Sequence, residues 1–403
     1  MDIPVLFSIN LGNFGSTGSI MKNISLVAQK YGFASYMAYP DRRGTVSCND
    51  DIVIMSEFMK KLNEKLAYYT GYNGCFAVLA TIKLLFSINK LRPDIIHLHN
   101  LHNSYINLPL LFKYIKKHNI PVVWTLHDCW AFTGQCPHFT MVKCDKWKTG
   151  CHDCPSYREY PQSRIDRTKT MWRLKKKWFT GVENLTIVTP SQWLADLVKQ
   201  SFLKDYPVKV INNGIDLSVF KPTESDFRQR YAIGEKKIIL GVAFGWGVRK
   251  GLDVFIKLAE ILDEDKFQIV LVGTDETVDK MLPENIISIH RTQNQNELVK
   301  IYTAADVFVN PTREDNYPTV NMEAIACGTP VITFRTGGSP EALDESTGKV
   351  IVADDFYALQ RELENMVTRK SDIYYSCIDK AKSYDQNIKF IEYINLYNFL
   401  LGI

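Results

Sequence analysis

The chain has 403 residues and a formal net charge of +4, with 46% hydrophobic and 23% charged residues. This length predicts two domains, and this composition is that of a globular protein rather than a disordered chain. The small net charge argues against a nucleic-acid partner, because nucleic-acid-binding domains usually concentrate basic residues on one face.

The N-terminus does not resemble a targeting segment. MDIPVLFSINLG lacks the basic start and the apolar run of a secretory signal. The most apolar segment, Cys75–Leu91, contains Lys83 and Lys90 and is shorter than the ~18 uninterrupted apolar residues of a membrane span. We therefore expect a cytoplasmic protein in which this segment is a buried helix.

The first half of the chain has the pattern of a doubly wound α/β domain. A strand predicted at Pro4–Asn10 leads into the glycine loop LGNFGSTGS, and a helix is predicted from Ile20 to Tyr31. Several later strand candidates are apolar on consecutive residues, which is typical of parallel strands covered on both faces. These candidates are Ser35–Pro40, Asp94–Asn100, Pro121–Asp128 and Leu185–Ser191.

The same pattern restarts after a polar stretch, Asp216–Lys237, which we predict to be a linker. The strands expected beyond it are Ile238–Phe244, Phe267–Gly273, Ala305–Pro311 and Thr329–Phe334. The predicted fold class is therefore α/β, with two doubly wound Rossmann-like domains facing a cleft. The predicted domains are residues 1–215, with a cysteine-rich insert at 129–155, and residues 216–385. A C-terminal helix at 386–403 is expected to pack back on them.

A cleft of this kind is lined by helix N-termini and by the carboxyl ends of strands, where anions bind. An anionic, nucleotide-bearing ligand is therefore expected. The chain has no P-loop with its Lys and Ser/Thr, and GNFGSTG is not the dinucleotide pattern of three spaced glycines. Both absences argue against a kinase and a dehydrogenase.

Arg249 and Lys250 follow a glycine-rich strand end and precede a helix. Two cations at a helix start suit a diphosphate, because Arg grips two oxygens while Lys supplies a point charge. The alternative is a solvated charged pair, but cations at this end oppose the helix dipole unless an anion is present.

The segment Asn310–Leu343 carries three carboxylates, Glu314, Asp315 and Glu323. The first two lie in a predicted loop and Glu323 lies in the following helix, so they could contact opposite ends of one extended ligand. A carboxylate can accept hydrogen bonds from both hydroxyls of a ribose. The alternative is that all three are surface acids. Asp263–Asp265 is expected to be a solvated turn rather than a metal-binding loop.

Four cysteines cluster after His127 with the spacing C-x7-C-x6-C-x2-C: Cys136, Cys144, Cys151 and Cys154. Four thiolates suit a tetrahedral structural zinc, with His138 and His152 as reserve ligands. Reduced thiols packed in a loop and disulfides are the alternatives. The next segment, Arg164–Phe179, is either a basic helix that docks on anionic lipid or a solvated helix with an aromatic core face.

Taken in order, these motifs resemble one family. The chain resembles the retaining GT-B glycosyltransferases of family 4, most closely the bacterial polysaccharide glycosyltransferases of the colanic acid and O-antigen type. The resemblance spans nearly the whole chain. It rests on the early glycine loop, DIIHLHN, TLHD, VTPSQWLA, KVINNGID, RKGLD and EDNYPTVNMEAIACGTPV.

The resemblance implies roles for individual residues. It places Gly15 and Gly18 in a loop facing the cleft, and His127 near the transferred sugar, although a structural histidine at a strand end is the alternative. His97 and His99 alternate on one strand and are expected to be structural.

For the donor, the resemblance implies that Lys250, helped by Arg249, holds the diphosphate and that Glu323 binds the ribose. Backbone amides around Asn316, Tyr317 and Pro318 would face the diphosphate and sugar. The chain departs from the family at Phe244 and Gly245, where an arginine is usual, and at Asp315, where the first acid is usually glutamate. Arg249 is the candidate for the role of the arginine. Asp315 is the candidate for the role of the first acid, and the neighbouring Glu314 is the alternative.

The implied mechanism has no protein nucleophile and requires no divalent metal. The leaving phosphate helps to deprotonate the acceptor, and the protein contributes positioning and charge stabilisation. The predicted reaction moves a hexosyl unit from a nucleotide sugar to a lipid-linked oligosaccharide in O-antigen or capsule biosynthesis. UDP is the preferred nucleotide, and UDP-galactose is a candidate donor.

Peripheral contact with the inner membrane is expected for such an acceptor. Two rival functions fit the same sequence features. One is a nucleotide-sugar epimerase of similar architecture, and the other is a non-catalytic protein that binds a sugar nucleotide or a metal.

Overall fold

A computed structural model describes residues 3–41 and 51–403. The chain divides into two compact units, Met1–Asn212 with Phe390–Ile403, and Asn213–Lys389. Each unit contains one parallel sheet, of seven strands in the first and six in the second. The predicted α/β class with two doubly wound domains is confirmed.

The first unit orders its strands β3-β2-β1-β4-β5-β6-β7. The strands are β1 Val5–Ile9, β2 Ala34–Tyr39, β3 Ile52–Val53, β4 Ile95–Leu98, β5 Val122–Thr125, β6 Leu185–Thr189 and β7 Val208–Val210. The helices are α1 Gly15–Lys30, α2 Glu57–Thr70, α3 Val78–Leu91, α4 Leu108–His118, α5 Thr168–Phe179 and α6 Gln192–Val198.

The strand order reverses between β1 and β4, which pair in parallel with Leu6 opposite Ile95. The chain builds outward from β1 through β2 to β3 and then returns to the other side of β1. Loops that leave the carboxyl ends of two such strands diverge and form a ligand-binding crevice. Here these loops are residues 10–14 and 99–107.

The second unit repeats this arrangement with the order β10-β9-β8-β11-β12-β13. Its strands are β8 Lys237–Val242, β9 Phe267–Val272, β10 Ile286–Ile289, β11 Val307–Asn310, β12 Val331–Phe334 and β13 Gly348–Ile351. The helices that follow α6 are α7 Phe227–Arg230, α8 Leu252–Ile261, α9 Glu276–Asp279, α10 Gln295–Ala304, α11 Thr319–Ala326, α12 Phe356–Thr368, α13 Lys370–Ala381 and α14 Gln386–Leu401. The order reverses between β8 and β11.

The last helix contributes its aromatic face to the first unit. Phe390, Tyr393 and Tyr397 are buried in a cluster with Leu6 and Val123. The Tyr397 hydroxyl lies 2.7 Å from Nδ1 of His97 and so anchors the helix beneath the sheet.

Two predictions about segments are wrong. The segment that contains α3 is not a buried helix, because only Thr81, Leu84 and Ile88 of α3 face the core and four large apolar side chains are exposed. The exposed side chains are Val78, Leu79, Ile82 and Phe86.

The stretch Asp216–Lys237, predicted to be a linker, folds as part of the second unit. Phe227 is buried in the core of the second unit, and Arg228 pairs with Asp306 at 2.5 Å. No helix within the described ranges is long and apolar enough to cross a membrane.

Candidate active site

The cations predicted to hold a diphosphate lie at the reversal point of the second sheet. Arg249 and Lys250 end a short 3-10 helix, Val248–Lys250, in the loop that follows β8. Gly251 joins this helix to α8 with φ +76, and a Cβ at this position would come within 2.5 Å of the Pro311 carbonyl oxygen. Glycine therefore allows the cation loop to pack against the end of β11.

The acidic loop that follows β11 contacts these cations directly. Lys250 Nζ lies 2.5 Å from Asp315 Oδ2, and Arg249 donates from Nη1 to the Glu314 carbonyl at 3.2 Å. The Asn316 backbone N–H, one of the predicted diphosphate contacts, donates to Asp315 Oδ1 at 2.9 Å. Tyr317 is buried, and Pro318 is the N-cap residue of α11.

Sequence reasoning missed Arg313, which holds the loop after β8 against the loop after β11. Its guanidinium pairs with Asp253 at 2.7 Å and with Asp354 at 2.6 Å, and it also donates to the Val248 carbonyl. The two carboxylates raise the pKa of Arg313, with the Asp253 hydrogen bond contributing most. An arginine directly before two acids was the available signal.

Glu323 lies in the middle of α11 and accepts a hydrogen bond from the Tyr302 hydroxyl at 3.1 Å. Burial raises the pKa of this carboxyl, while hydrogen bonds from Thr319 and Tyr302 oppose the shift. The residue as a whole is partly exposed. Phe244, which stands where the family has an arginine, is fully exposed.

In the first unit, the glycine loop after β1 leads into the N-terminus of α1. Gly15 begins the helix with φ +72, and a Cβ on Gly18 would lie 2.8 Å from the Asn13 carbonyl carbon. The first turn of α1 has no acidic residue and no side-chain cap. The backbone therefore approaches closely here, at an end of the helix that favours anions.

His127 lies just beyond β5, and its Nε2 is 3.1 Å from Nδ1 of His99. The two rings stack with centroids 5.4 Å apart. Trp124 donates from Nε1 to the His99 carbonyl at 3.1 Å. His99, which we predicted to be structural, therefore contacts the candidate catalytic histidine directly.

Burial keeps these histidines neutral at physiological pH. It lowers the pKa of His127 to about 4; Asp128 opposes this shift and His102 adds to it. Burial also lowers the pKa of His97 to about 3 and that of His99 well below its usual range. A neutral His127 can donate or accept a hydrogen bond but carries no charge.

A second polar group that sequence reasoning missed borders His127. His102 Nε2 lies 3.3 Å from Asp128 Oδ2, and His102 Nδ1 lies 3.1 Å from the Tyr160 hydroxyl. Burial alone would raise the pKa of Asp128, but His102, His138 and the Trp130 N–H together hold it below its usual range. The signal for this group was the TLHD motif, in which Asp128 follows His127.

The four clustered cysteines lie close enough to one another for their thiols to interact electrostatically. A hydrogen bond joins the thiols of Cys136 and Cys154, and Cys151 lies near both Cys154 and Cys144. Cys151 also accepts the Gly134 N–H at 3.2 Å. Across residues 3–41 and 51–403, however, no three His, Cys, Asp or Glu side chains are arranged to hold a metal ion.

A structural zinc held by Cys136, Cys144, Cys151 and Cys154 therefore stays a prediction. Of the reserve ligands, His152 lies 3.0 Å from Asp153, and His138 lies near Asp128. The Asp263–Asp265 turn is exposed, and Asp263 pairs with Lys266 at 3.0 Å.

The basic segment after the cysteines is α5, and its aromatic residues face the core. Trp172 and Phe179 are buried, as is Lys175. Lys175 donates to the Trp130 carbonyl and lies over the Trp130 ring, 3.6 Å from its centroid. Burial lowers the pKa of Lys175 to about 7. The aromatic core face predicted for this segment is therefore confirmed, whereas docking of the helix on anionic lipid stays a prediction.

Comparisons with known proteins match each unit to a glycosyltransferase model. The model of "Glycosyltransferase Family 4" matches residues 63–219, and that of "Glycosyl transferases group 1" matches residues 236–369. Together the two matches cover most of the chain.

Among curated proteins, the chain is 27% identical over 320 residues to WcaC of Escherichia coli (strain K12), a colanic acid biosynthesis glycosyl transferase. This alignment covers 76% of the chain and 77% of WcaC. The chain is also 26% identical over 199 residues to the sulfoquinovosyl transferase SQD2 of Arabidopsis thaliana, covering 47% of the chain and 39% of SQD2.

Solved structures share the fold at low sequence identity. A sucrose-phosphate synthase from Thermosynechococcus elongatus matches with a TM-score of 0.73 at 15% identity, covering 99% of both chains. WaaG, a glycosyltransferase involved in lipopolysaccharide biosynthesis, matches with a TM-score of 0.64 at 16% identity, covering 99% of this chain and 100% of WaaG. The chain therefore belongs to the glycosyltransferases of the GT-B fold, with a family 4 domain followed by a group 1 domain.

Proposed function

We propose that this protein is a retaining glycosyltransferase of surface polysaccharide biosynthesis. It moves a hexosyl unit from a nucleotide sugar to a lipid-linked oligosaccharide of an O-antigen or capsule. The preferred nucleotide is UDP, and UDP-galactose is a candidate donor. The observation that carries this proposal is the pairing of Lys250 and Arg249 with the acidic loop after β11.

This pairing supports binding of a nucleoside diphosphate by the second unit. Lys250 and Arg249 are held at the sheet reversal, where parallel sheets bind ligands, and both can donate to phosphate oxygens. As the bond to the sugar breaks, negative charge grows on the diphosphate, and fixed cations stabilise this charge without reorganising. A structural neighbour, Anabaena HepE, was solved in complex with UDP. Glu323 is the proposed ribose ligand.

The acceptor side of the proposal rests on His127. Because burial lowers its pKa to about 4, His127 is neutral and orients hydroxyl groups by hydrogen bonding instead of carrying charge. We do not assign it as the general base. The leaving phosphate takes the acceptor proton, and catalysis by the protein consists of positioning and charge stabilisation. This chemistry needs no metal ion.

The name of WcaC, a colanic acid biosynthesis glycosyl transferase, supports a polysaccharide acceptor. A lipid-linked acceptor requires contact with the inner membrane from the cytoplasmic side, and we propose a surface for this contact that differs from α5. Helix α2 buries Lys60, Asn63 and Ala67 and exposes apolar side chains. Those exposed on α2 are Phe58, Met59, Leu62, Leu66, Tyr68 and Tyr69.

We propose that Phe58, Met59, Leu62 and Leu66 make this contact together with the exposed apolar residues of α3, and we call this set of side chains the α2–α3 face. Its charge favours anionic lipid, because residues 56–92 contain six cationic side chains and two carboxylates. Both carboxylates pair with lysines one turn away, Glu64 with Lys60 at 2.5 Å and Glu57 with Lys61 at 3.0 Å. Exposed apolar side chains flanked by lysines are typical of helices that lie in the membrane interface.

The experiment is a thermal-shift screen against UDP, GDP and their sugars, followed by assays of nucleotide release from the donors that bind. UDP should raise the melting temperature, because a ligand that binds only the folded state stabilises it by an amount that grows with ligand concentration relative to Kd. Glu323→Gln should weaken UDP binding about tenfold or more, because a charged hydrogen bond to the ribose is lost. Glu260→Gln, on the exposed surface of the same unit, is the matched control. Absence of any nucleotide effect would contradict the proposal.

A further inference from the structure

A cavity of about 460 Å³ opens in the first unit where the end of α2 meets the loop after β4. Its size falls within the ~300–1,000 Å³ that small-molecule sites occupy. The lining residues that matter here are Tyr68, Tyr69, Asn73, Asn103, Ser104 and Tyr160. None of them belongs to the donor site described above.

Two polar atoms in the lining lack a hydrogen-bond partner. Asn73 Oδ1 and the Ser104 hydroxyl are buried and have no partner in the part of the chain that the structure describes. Buried polar groups are almost always paired, and an orphan costs stability. Both atoms are closed to solvent, so a ligand reaches them only when the side chains around them move. A ligand hydroxyl could then donate to the amide oxygen and exchange a hydrogen bond with the serine.

The backbone at this point adopts an uncommon conformation. Asn103 and Ser104 have φ values of 69° and 55°, so two consecutive non-glycine residues lie in the left-handed region. Such conformations persist only where the surrounding structure enforces them, and they concentrate at ligand sites. Here they direct the chain so that both residues line the cavity.

The aromatic residues indicate the chemical class of the ligand. Tyr69 and Tyr160 are each about half exposed and so present ring surface to the cavity. A tyrosine ring presents an apolar face, and its hydroxyl both donates and accepts hydrogen bonds. A sugar ring offers the matching combination of an apolar C–H face and a rim of hydroxyls.

Two hydrogen bonds lead from the cavity to His102, which lies near Asp128. Asn103 donates from Nδ2 to the Tyr160 hydroxyl at 2.7 Å, and this hydroxyl lies 3.1 Å from Nδ1 of His102. His102 in turn contacts Asp128, the residue after His127. A sugar held against Tyr160 would therefore be linked through His102 to Asp128, the residue that follows His127.

We infer that this cavity binds a neutral saccharide unit of the acceptor. The identification of this saccharide as part of the acceptor rests on the proposed function. Binding of a free saccharide to the cavity can be measured independently of that function. The occupant is a carbohydrate that stacks on Tyr69 and hydrogen-bonds Asn73, Ser104 and Tyr160.

The test is saturation-transfer difference NMR of the full chain with methyl glucoside, methyl galactoside, maltose and lactose. At least one of these saccharides should bind at millimolar concentration. Tyr69→Ala should weaken its binding about fivefold or more, because ring stacking is lost. Tyr31→Ala should bind like the wild type, because Tyr31 has the same 54% exposure as Tyr69 and does not line the cavity.

Ser104→Ala gives a second readout. Removal of an unpaired hydroxyl should leave the melting temperature unchanged or raised while weakening saccharide binding; a purely structural serine would not weaken it. The inference is contradicted if none of the four saccharides binds the wild type, or if Tyr69→Ala and Ser104→Ala both bind as tightly. A protein that binds UDP but no saccharide contradicts this inference alone, whereas one that binds no nucleotide contradicts the proposed function.

Discussion

Lys250 Nζ lies 2.5 Å from Asp315 Oδ2, so an ion pair joins the loop after β8 to the loop after β11. The two residues are 65 positions apart in sequence. They meet because β8 and β11 are neighbours at the point where the strand order reverses. The cation is therefore positioned before any reaction begins, and a diphosphate that reaches it competes with Asp315 for the ammonium group.

Lys175 and Lys177 should differ sharply in their effect on stability, although they lie on the same helix. Lys175 is buried and bonded to the Trp130 carbonyl, whereas Lys177 is exposed. Lys175→Glu places a carboxylate against that carbonyl and should lower the free energy of unfolding by about 3 kcal/mol or more. Lys177→Glu should change it by less than ~0.5 kcal/mol. Urea unfolding measures both, and equal effects would show that Lys175 is not buried as described.

The buried His97 should make stability depend on pH below neutrality. Its pKa is lowered to about 3 in the folded protein, whereas a histidine in the unfolded chain titrates near 6.5. Between these two values the unfolded chain binds the extra proton, so stability should fall as pH decreases from 6.5. One such group contributes a slope of up to about 1.4 kcal/mol per pH unit.

The measurement is urea unfolding at several pH values between 7.5 and 4.5. The free energy of unfolding should depend less steeply on pH for His97→Gln than for the wild type. The difference in slope should correspond to the binding of up to one proton. His118→Gln, at the exposed end of α4, should keep the wild-type slope. Parallel curves for all three proteins would argue against a neutral buried His97.

The cysteine cluster gives a prediction that metal analysis can check. If the four thiols hold a structural zinc, the purified protein should contain roughly one zinc per chain. A chelator should then lower the melting temperature, and the Cys151→Ser and Cys154→Ser variants should lose the metal. If the purified protein contains no zinc and the chelator leaves its melting temperature unchanged, the four cysteines are reduced thiols packed in a loop.

The α2–α3 face should bring the protein to anionic vesicles. In co-sedimentation with phosphatidylglycerol vesicles, replacing Phe58, Leu79 and Phe86 together by Glu should reduce the bound fraction at least tenfold. Each of these side chains would otherwise bury apolar surface worth on the order of 1.5–3 kcal/mol. Phe399→Glu alters an equally exposed side chain on α14 and should leave binding unchanged. Recovery of the triple variant at the wild-type level would contradict the proposed membrane contact.

The central strands of both sheets could be predicted from the sequence, but the four edge strands could not. Strands such as β4 and β5 are buried on every residue and therefore appear as continuous apolar runs. The edge strands are β3, β7, β10 and β13. These strands are partly exposed and can contain polar residues, so their apolar runs are too short to be recognised as strands. The α2–α3 face escaped prediction for the opposite reason, because apolar residues were expected to be buried.

The residues of the candidate site could be predicted only in part. Arg249, Lys250, Glu314 and Asp315 could be found because local motifs mark them, and the structure brings them into contact. The contacts of His127 with His99, and of Asp128 with His102, join residues separated by 26 to 28 positions. Local patterns carry no information about such pairs, which depend on the pairing of β4 with β5.

The most direct test of the proposed function is nucleotide release from the UDP-sugar that the thermal-shift screen identifies, comparing Lys250→Ala with Lys257→Ala. Lys257 lies on the adjacent helix α8, is half exposed and pairs only with Glu260 among the described residues. If Lys250 stabilises the leaving diphosphate, Lys250→Ala should reduce kcat/KM by about 100-fold or more, whereas Lys257→Ala should stay within about twofold. Equal rates for the two variants would contradict the account.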